Sequence, residues 1–382
     1  MKIKLFQFTL FLAFIFLIDL QVYADTMIIP APPKIKASSY LVMDFNSGML
    51  LVKENIDHKL PPASLTKIMT AYVVASELTN GNISLEDEVL VSEKAWRTQG
   101  SRMFIKVNKK VKLDDLLYGV VIQSGNDASV ALAEFISGTE DVFADIMNKH
   151  AERLGMKNTH FVNSTGLPDV DHYTTAGDLA ILARALIRDY PKIYVLHKIK
   201  EFTFNKIKQH NRNKLLWRDR SVDGIKTGHT EAAGYCLVAS ADRDGMRLIS
   251  VVMGTDGMNA RAKASQAMLN YGFRFYETHK LYSAGEYITS VKVWKADSDI
   301  LNLGLAKDLY ITVPRGQYDK LEPAVVIDKQ VIAPVNQGEQ KGVLNVILAN
   351  ENIISVPLLA METVSEGGII NRLKDEVRLL FE

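Results

Sequence analysis

A serine hydroxyl is a poor nucleophile until a neighbouring base takes its proton. Ser64-Leu65-Thr66-Lys67 sets a serine and a lysine three residues apart. On a helix such side chains are neighbours, with roughly 5–6 Å between Cβ atoms. Lys67 serves as the base only if its ammonium is made easy to deprotonate, by burial or by a second cation. Lys226 is the candidate for that cation. Ser64 also falls at the first helical turn, where free N–H groups and the helix dipole favour a developing oxyanion. Ser124-Gly125-Asn126 adds a hydroxyl to pass a proton and an amide to hold Lys67 and a substrate. Lys226-Thr227-Gly228 offers a charge and a hydroxyl to an anionic terminus, and Gly228 lets an extended backbone lie close to a strand edge. Combined, these groups suit acyl transfer through a serine ester. Taken singly, each has a plainer reading: a capped helix with a surface lysine, an interhelical turn, and a strand ending at glycine.

The elements that must bring these stretches together are legible in the spacing of apolar residues. A strand is predicted over 39–45, with a hairpin partner over 48–52. Pro61-Pro62-Ala63 suits a helix entrance, and Leu65, Ile68, Met69, Tyr72 and Val73 follow at helical spacing up to Asn80-Gly81. Helices are expected over 113–121, 128–136, 143–154 and 176–187, then strands over 222–226, 234–239 and 247–254, and a helix over 262–271. That pattern predicts an α/β (α+β) fold in which helices cover one sheet. Ser124-Gly125-Asn126 then falls between two helices, and Lys226-Thr227-Gly228 at a strand end. From about Glu286 helical signals vanish. Leu309, Ile311 and Val313 alternate with polar neighbours, as do Leu344, Val346 and Leu348, which predicts a small all-β domain. The last stretch is amphipathic, with Ile369, Ile370, Leu373, Val377, Leu380 and Phe381 on one face and Arg372, Lys374, Asp375, Glu376 and Arg378 on the other. Cys236 reads as a small core residue on a strand, and Trp217 and Trp294 as packing residues.

The 382 residues carry a net charge of +1, which gives a nucleic-acid partner no electrostatic support. No Cys/His cluster has zinc spacing, so no metal is expected. Lys2 and Lys4 precede an apolar run, and Val22-Tyr23-Ala24 follows it. This is the layout of a secretory signal peptide over 1–24, with the mature chain starting near Asp25. The alternative is an uncleaved anchor, although the run is short of the ~20 apolar residues of a span. The expected organisation is signal 1–24, catalytic domain 25–284, β-rich domain 285–363 and terminal helix 364–382.

Longer strings around the three motifs carry a resemblance. Pro62-Ala63-Ser64-Leu65-Thr66-Lys67, Gln123-Ser124-Gly125-Asn126-Asp127-Ala128, His210-Asn211-Arg212-Asn213 and 222–230 resemble the low-molecular-mass penicillin-binding proteins, the secreted serine D-alanyl-D-alanine carboxypeptidases. The likeness implies that Ser64 forms the acyl-enzyme, Lys67 is the acylation base, and Ser124 and Asn126 complete the polar network. It implies that Lys226, Thr227 and Arg261 bind a terminal carboxylate and that Arg212 supports Lys226. The backbone N–H groups of Ser64 and His229 would form the oxyanion hole, while the His229 side chain itself has an equally simple reading as a loop residue. The implied substrate is a peptidoglycan stem peptide ending in D-Ala-D-Ala, with β-lactams acylating the same serine and no cofactor required. The resemblance also implies a β-rich pedestal and a terminal helix on the periplasmic face of the inner membrane. The charges of 369–382 cancel, so attraction to anionic lipid should be weak. A helix docked on the protein itself or on a second copy, as a homodimer, is the alternative. Rival activities are a serine β-lactamase, for which no Glu-x-x-Leu-Asn string is found, a DD-endopeptidase, and a wall-binding scaffold.

Overall fold

The computed structural model describes residues 29–380. The expected signal and its cut near Asp25 lie outside the described residues, as do Phe381 and Glu382. A five-stranded antiparallel sheet forms the frame of the first domain. Its strands are β1 (Ser39–Asp44), β2 (Leu50–Glu54), β3 (Val222–Thr230), β4 (Gly234–Arg243) and β5 (Met246–Thr255), in the order β2-β1-β5-β4-β3. The two ends of the domain's sequence thus meet in one sheet, and β3 lies at its edge.

Alternation along the central strands sends side chains to both faces, and both are buried. Leu41, Met43, Ile249, Val251 and Met253 join a core with helices α1 (Lys67–Thr79), α4 (Glu140–Leu154) and α5 (Ala176–Asp189). Val42 and Leu248 point the other way, to helix α6 (Met258–Phe275). A Cβ on Gly272 of α6 would lie 2.6 Å from Leu248 Cδ1, so glycine permits this close approach. A second core fills the helical lobe around α2 (Leu113–Tyr118) and α3 (Asn126–Ser137) and contains Leu116, Leu117, Val120, Val130 and Leu132. Between α2 and α3 the chain widens into a π turn over Gly119–Gln123.

The second domain begins earlier than its sequence pattern predicts. Helix α6 runs to Phe275 and passes directly into β6 (Tyr276–Tyr282), which pairs with β9 (Leu309–Pro314). The structural break therefore falls at 275/276 and not at 284/285. No turn signal separates helix from strand there, and no strand is predicted over 276–282. The remaining strands are β7 (Tyr287–Trp294), β8 (Ile300–Gly304), β10 (Glu322–Ile327), β11 (Val331–Ile332), β12 (Gln340–Leu348) and β13 (Glu351–Ala360). They form a six-stranded sheet in the order β10-β12-β13-β8-β7-β11. Helix α7 (Ile369–Leu379) closes the described chain.

A hydroxyl cluster joins the domains. Asp44, at the end of β1, is fully buried. Its carboxylate accepts from the Ser47 amide at 2.7 Å, from Ser47 Oγ at 2.9 Å and from Thr278 Oγ1 of β6 at 2.7 Å. Thr312 Oγ1 of β9 lies 2.6 Å from Ser47 Oγ and 2.8 Å from Thr278 Oγ1, which completes the ring. Asp44→Ala leaves three donors short of an acceptor and is expected to destabilise the protein by about 2–3 kcal/mol. Urea unfolding should show a lower midpoint.

Candidate active site

Ser64 is reached through a tight entrance. Pro62 cannot continue an extended pairing, Ala63 has φ +47°, and Ala63–Thr66 forms a 3-10 turn before α1 begins at Lys67. The sequence suggests α-helical spacing for Ser64 and Lys67, but the turn is 3-10. In that geometry residues i and i+3 nearly eclipse, which stacks the two side chains more directly. Lys67 Nζ lies 3.4 Å from Ser64 Oγ.

Lys67 is 1% exposed. Its amine donates to Asn126 Oδ1 and to the Thr165 carbonyl, both at 2.6 Å. Asn126 is held in turn, since its Nδ2 donates to the Gln99 carbonyl at 2.6 Å. Burial is the main cause that pushes the Lys67 amine down to about 7, and the Arg212 guanidinium adds to it. Asp127 and Glu140 pull the other way. Arg212 thus stands beside the expected Lys226 as a further neighbouring cation. Lys226 is itself driven well below the usual lysine range, first by burial and then by Lys67, Arg212 and Arg261.

Ser124 ends the π turn in the left-handed region, at φ +66° and ψ 35°. A serine in that region is strained, a condition that clusters at functional sites. The twist presents its hydroxyl to Lys226, whose Nζ donates to Ser124 Oγ at 2.9 Å and to the Thr227 carbonyl at 3.1 Å. The neighbouring Asp127 pins the facing loop. It is fully buried, and its carboxylate accepts from the amides of Met103 at 2.9 Å, Phe104 at 3.0 Å, Ile105 at 3.3 Å and Ala128 at 2.9 Å.

Lys226-Thr227-Gly228 lies within β3, which continues to Thr230, and not at a strand end. The β3–β4 pairing simply runs on, with Gly228 opposite Cys236 and Thr230 opposite Gly234. Arg261 on α6 is buried, and its Nη1 donates to the carbonyls of Gly228 at 2.8 Å and Cys236 at 3.2 Å, bracing that pair from below. His229 is exposed and stacks on Tyr235, with ring centroids 4.0 Å apart. Arg212 makes no hydrogen bond or ion pair among the described residues and stands on the wall of the pocket.

One cleft of about 230 Å³ gathers Ser64, Ser124, Asn126, Thr227, Gly228, His229, Arg212 and Arg261 on its walls. Lys67 and Lys226 lie just beneath, through their bonds to Asn126 and Ser124. No Asp or Glu lines the cleft. The nearby carboxylates are engaged elsewhere, Asp127 by backbone amides and Glu140 by Ser164 and Lys94. Among the described residues no group of three or more His, Cys, Asp or Glu is placed to hold a metal ion. Sequence reasoning missed Thr165 and Gln99, because each contributes a backbone carbonyl that any residue type would supply. It also placed Trp217 in packing, whereas that ring is 48% exposed. Cys236 and Trp294 are buried as expected.

A serine beside a buried amine, under the edge strand of a helix-covered sheet, defines a serine peptidase of the penicillin-binding protein fold. A family model described as D-alanyl-D-alanine carboxypeptidase matches residues 26–257, and one described as penicillin-binding protein 5, C-terminal domain, matches residues 276–366. The chain belongs to the D-alanyl-D-alanine carboxypeptidase family. It is 42% identical over 361 residues to D-alanyl-D-alanine carboxypeptidase DacA of Escherichia coli (strain K12), a match spanning 92% of this chain and 90% of that one. Penicillin binding protein 5 from Haemophilus influenzae superposes with a TM-score of 0.87 at 43% identity, covering 88% of this chain and 100% of that one. Penicillin-binding protein D2 from Listeria monocytogenes, solved in an ampicillin-bound form, gives a TM-score of 0.59 at 29% identity over 64% of this chain and 100% of that one.

Only an uncharged Lys67 can take a proton from Ser64. The rate at which an acylating reagent labels Ser64 should therefore rise with pH through about 7. Arg212→Ala removes a cation that depresses Lys67, so its acidic limb should move to higher pH, as a pH–rate profile of each protein would record.

Proposed function

We propose that this protein is a serine-type D-alanyl-D-alanine carboxypeptidase that removes the terminal D-alanine from peptidoglycan stem peptides through an acyl-enzyme on Ser64. The observation that carries the reading is the set of partners around Lys67. A neutral amine has two N–H bonds and one lone pair. Asn126 Oδ1 and the Thr165 carbonyl accept the two N–H bonds, and the remaining neighbour is Ser64 Oγ at 3.4 Å. The lone pair is thereby left for the serine proton.

The chemistry follows in two halves. Lys67 takes the Ser64 proton as Oγ bonds to the carbonyl carbon between the two D-alanines. The negative charge that develops on oxygen faces the backbone N–H groups of Ser64 and His229, and losing one such donor typically costs about 10²–10³ in rate. The C–N bond then breaks, and the departing amine receives a proton through Ser124, which Lys226 holds. In the second half water adds to the ester, and Ser64 recovers its proton. The terminal carboxylate of the substrate is an anion entering a pocket walled by Arg212 and Arg261 and floored by Lys226, with the Thr227 hydroxyl beside it. No lining carboxylate competes for the two guanidinium groups.

The absence of Asp and Glu from the cleft walls also weighs against the β-lactamase reading, since no carboxylate stands there to drive water onto an acyl ester. A penicilloyl ester on Ser64 should be long-lived. β-Lactams are thus covalent inhibitors in this reading, in keeping with the ampicillin-bound form of the Listeria relative. Release of D-alanine from a synthetic stem pentapeptide is expected for the wild type and should vanish for Ser64→Ala, together with covalent labelling by penicillin. A Ser64→Ala protein that still releases D-alanine would overturn the assignment.

The reading extends to location: an exported protein on the outer face of the inner membrane. Support comes from α7. Asp375 on its polar side is buried and accepts from the Lys295 amide at 2.8 Å. Glu376 pairs with the Lys295 ammonium. That docking turns the apolar side outward, with Ile369 77%, Ile370 81% and Leu380 79% exposed. No described helix is long and apolar enough to cross a membrane. A helix of this kind suits an interface. Deleting 369–382 is expected to move the protein from the membrane fraction to the soluble one on sedimentation. A truncated protein that changes only from dimer to monomer would assign the face to a second copy instead.

A further inference from the structure

A buried imidazole lies behind the pocket and takes no part in the steps above. His172 is 3% exposed. Its Nδ1 sits 3.2 Å from the Val162 amide, which can only donate. Nδ1 is therefore the acceptor, and the proton rests on Nε2. Nε2 lies 2.8 Å from Thr66 Oγ1 and donates to it. Burial pushes this imidazole down to about 4, which keeps it neutral.

The two partners of His172 are the two sides of the reacting centre. Thr66 stands between Ser64 and Lys67 on the 3-10 turn. Val162 opens the stretch 162–172 that carries Thr165, whose carbonyl takes one N–H of Lys67. That stretch is packed against the turn, since a Cβ on Gly166 would come within 1.8 Å of the Ala63 carbonyl oxygen. It is also tied to α1 by the bond from Thr70 Oγ1 to the Ser164 carbonyl at 2.7 Å. His172 closes a ring that runs from Lys67 through Thr66, the imidazole, Val162 and Thr165 back to the Lys67 amine.

We propose that His172 is a positioning residue for acyl transfer: by bridging Thr66 Oγ1 and the Val162 amide, it holds the Thr165 carbonyl against Lys67 and so aims the amine at Ser64. The inference rests on the roles given above to Ser64 and Lys67. Displacement of about 1 Å in such a constellation is enough to slow chemistry by about 10²-fold.

The test uses the full-length protein and labelled penicillin, and separates the limiting acylation rate from the non-covalent dissociation constant by concentration dependence. Thr66→Val removes the acceptor with little change of shape, and His172→Ala removes the bridge. Each is expected to lower the limiting rate about 10-fold or more while the dissociation constant stays within about 2-fold. The double variant should be no slower than the slower single one, because both break one tether. His172→Gln, whose amide can donate where Nε2 does, should recover most of the rate. Should Thr66→Val and His172→Ala acylate at the wild-type limiting rate and differ only in melting temperature, His172 is a packing residue and the proposal falls. If His172→Ala does not fold, Thr66→Val and His172→Gln decide by the same criteria. If wild type is not labelled at all, the carboxypeptidase reading falls first and takes this one with it; normal labelling of wild type with unaffected variants removes this one alone.

Discussion

The site depends on keeping one amine dry. Lysine in water holds its proton far too firmly to act as a base near neutrality. At 1% exposure Lys67 loses the hydration that favours its charged form, and Arg212 adds a repulsion from the rim. Burial alone would leave a polar group without partners, which costs free energy unless hydrogen bonds replace the lost water. Asn126 Oδ1 and the Thr165 carbonyl supply those bonds. Both accept only, so they satisfy the amine without consuming its lone pair.

Much of the first domain can be read as support for those two acceptors. Asn126 keeps its orientation because Gln99 takes its amide N–H, and the 99–105 loop keeps its place because Asp127 gathers the amides at its far end. Thr165 is set by Asn163, whose Oδ1 accepts from the amides of Thr165 and Gly166 at 3.1 and 2.7 Å. The sheet supplies the third wall. Its edge strand carries Lys226 and Thr227, and Arg261 braces the pairing behind them. Three segments distant in sequence are thus locked separately and meet at the pocket.

Which parts were legible in the sequence follows from which parts are side-chain chemistry. Ser64, Lys67, Ser124, Asn126, Lys226 and Thr227 offer side-chain chemistry in short motifs, and their types and order point to one site. The helices and strands were legible because Leu65, Ile68 and Tyr72, or Leu41 and Met43, repeat with the period of their element. The Thr165 and Gln99 carbonyls were not, since no residue type marks a backbone oxygen. Nor was the 3-10 turn, because Ala63–Thr66 carries no signal that distinguishes it from an α-helical first turn. The break at 275/276 was hidden because a helix runs into a strand without a loop. The docking of Asp375 was hidden for a different reason: amphipathic periodicity tells which faces differ, not which of them the protein covers.

The hydroxyl ring around Asp44 has a geometric consequence. It ties the β1–β2 turn of the catalytic unit to β6 and β9 of its companion, so any rotation between the two must break hydrogen bonds around a buried carboxylate. Asp375 in turn fastens α7 to that companion through the Lys295 amide.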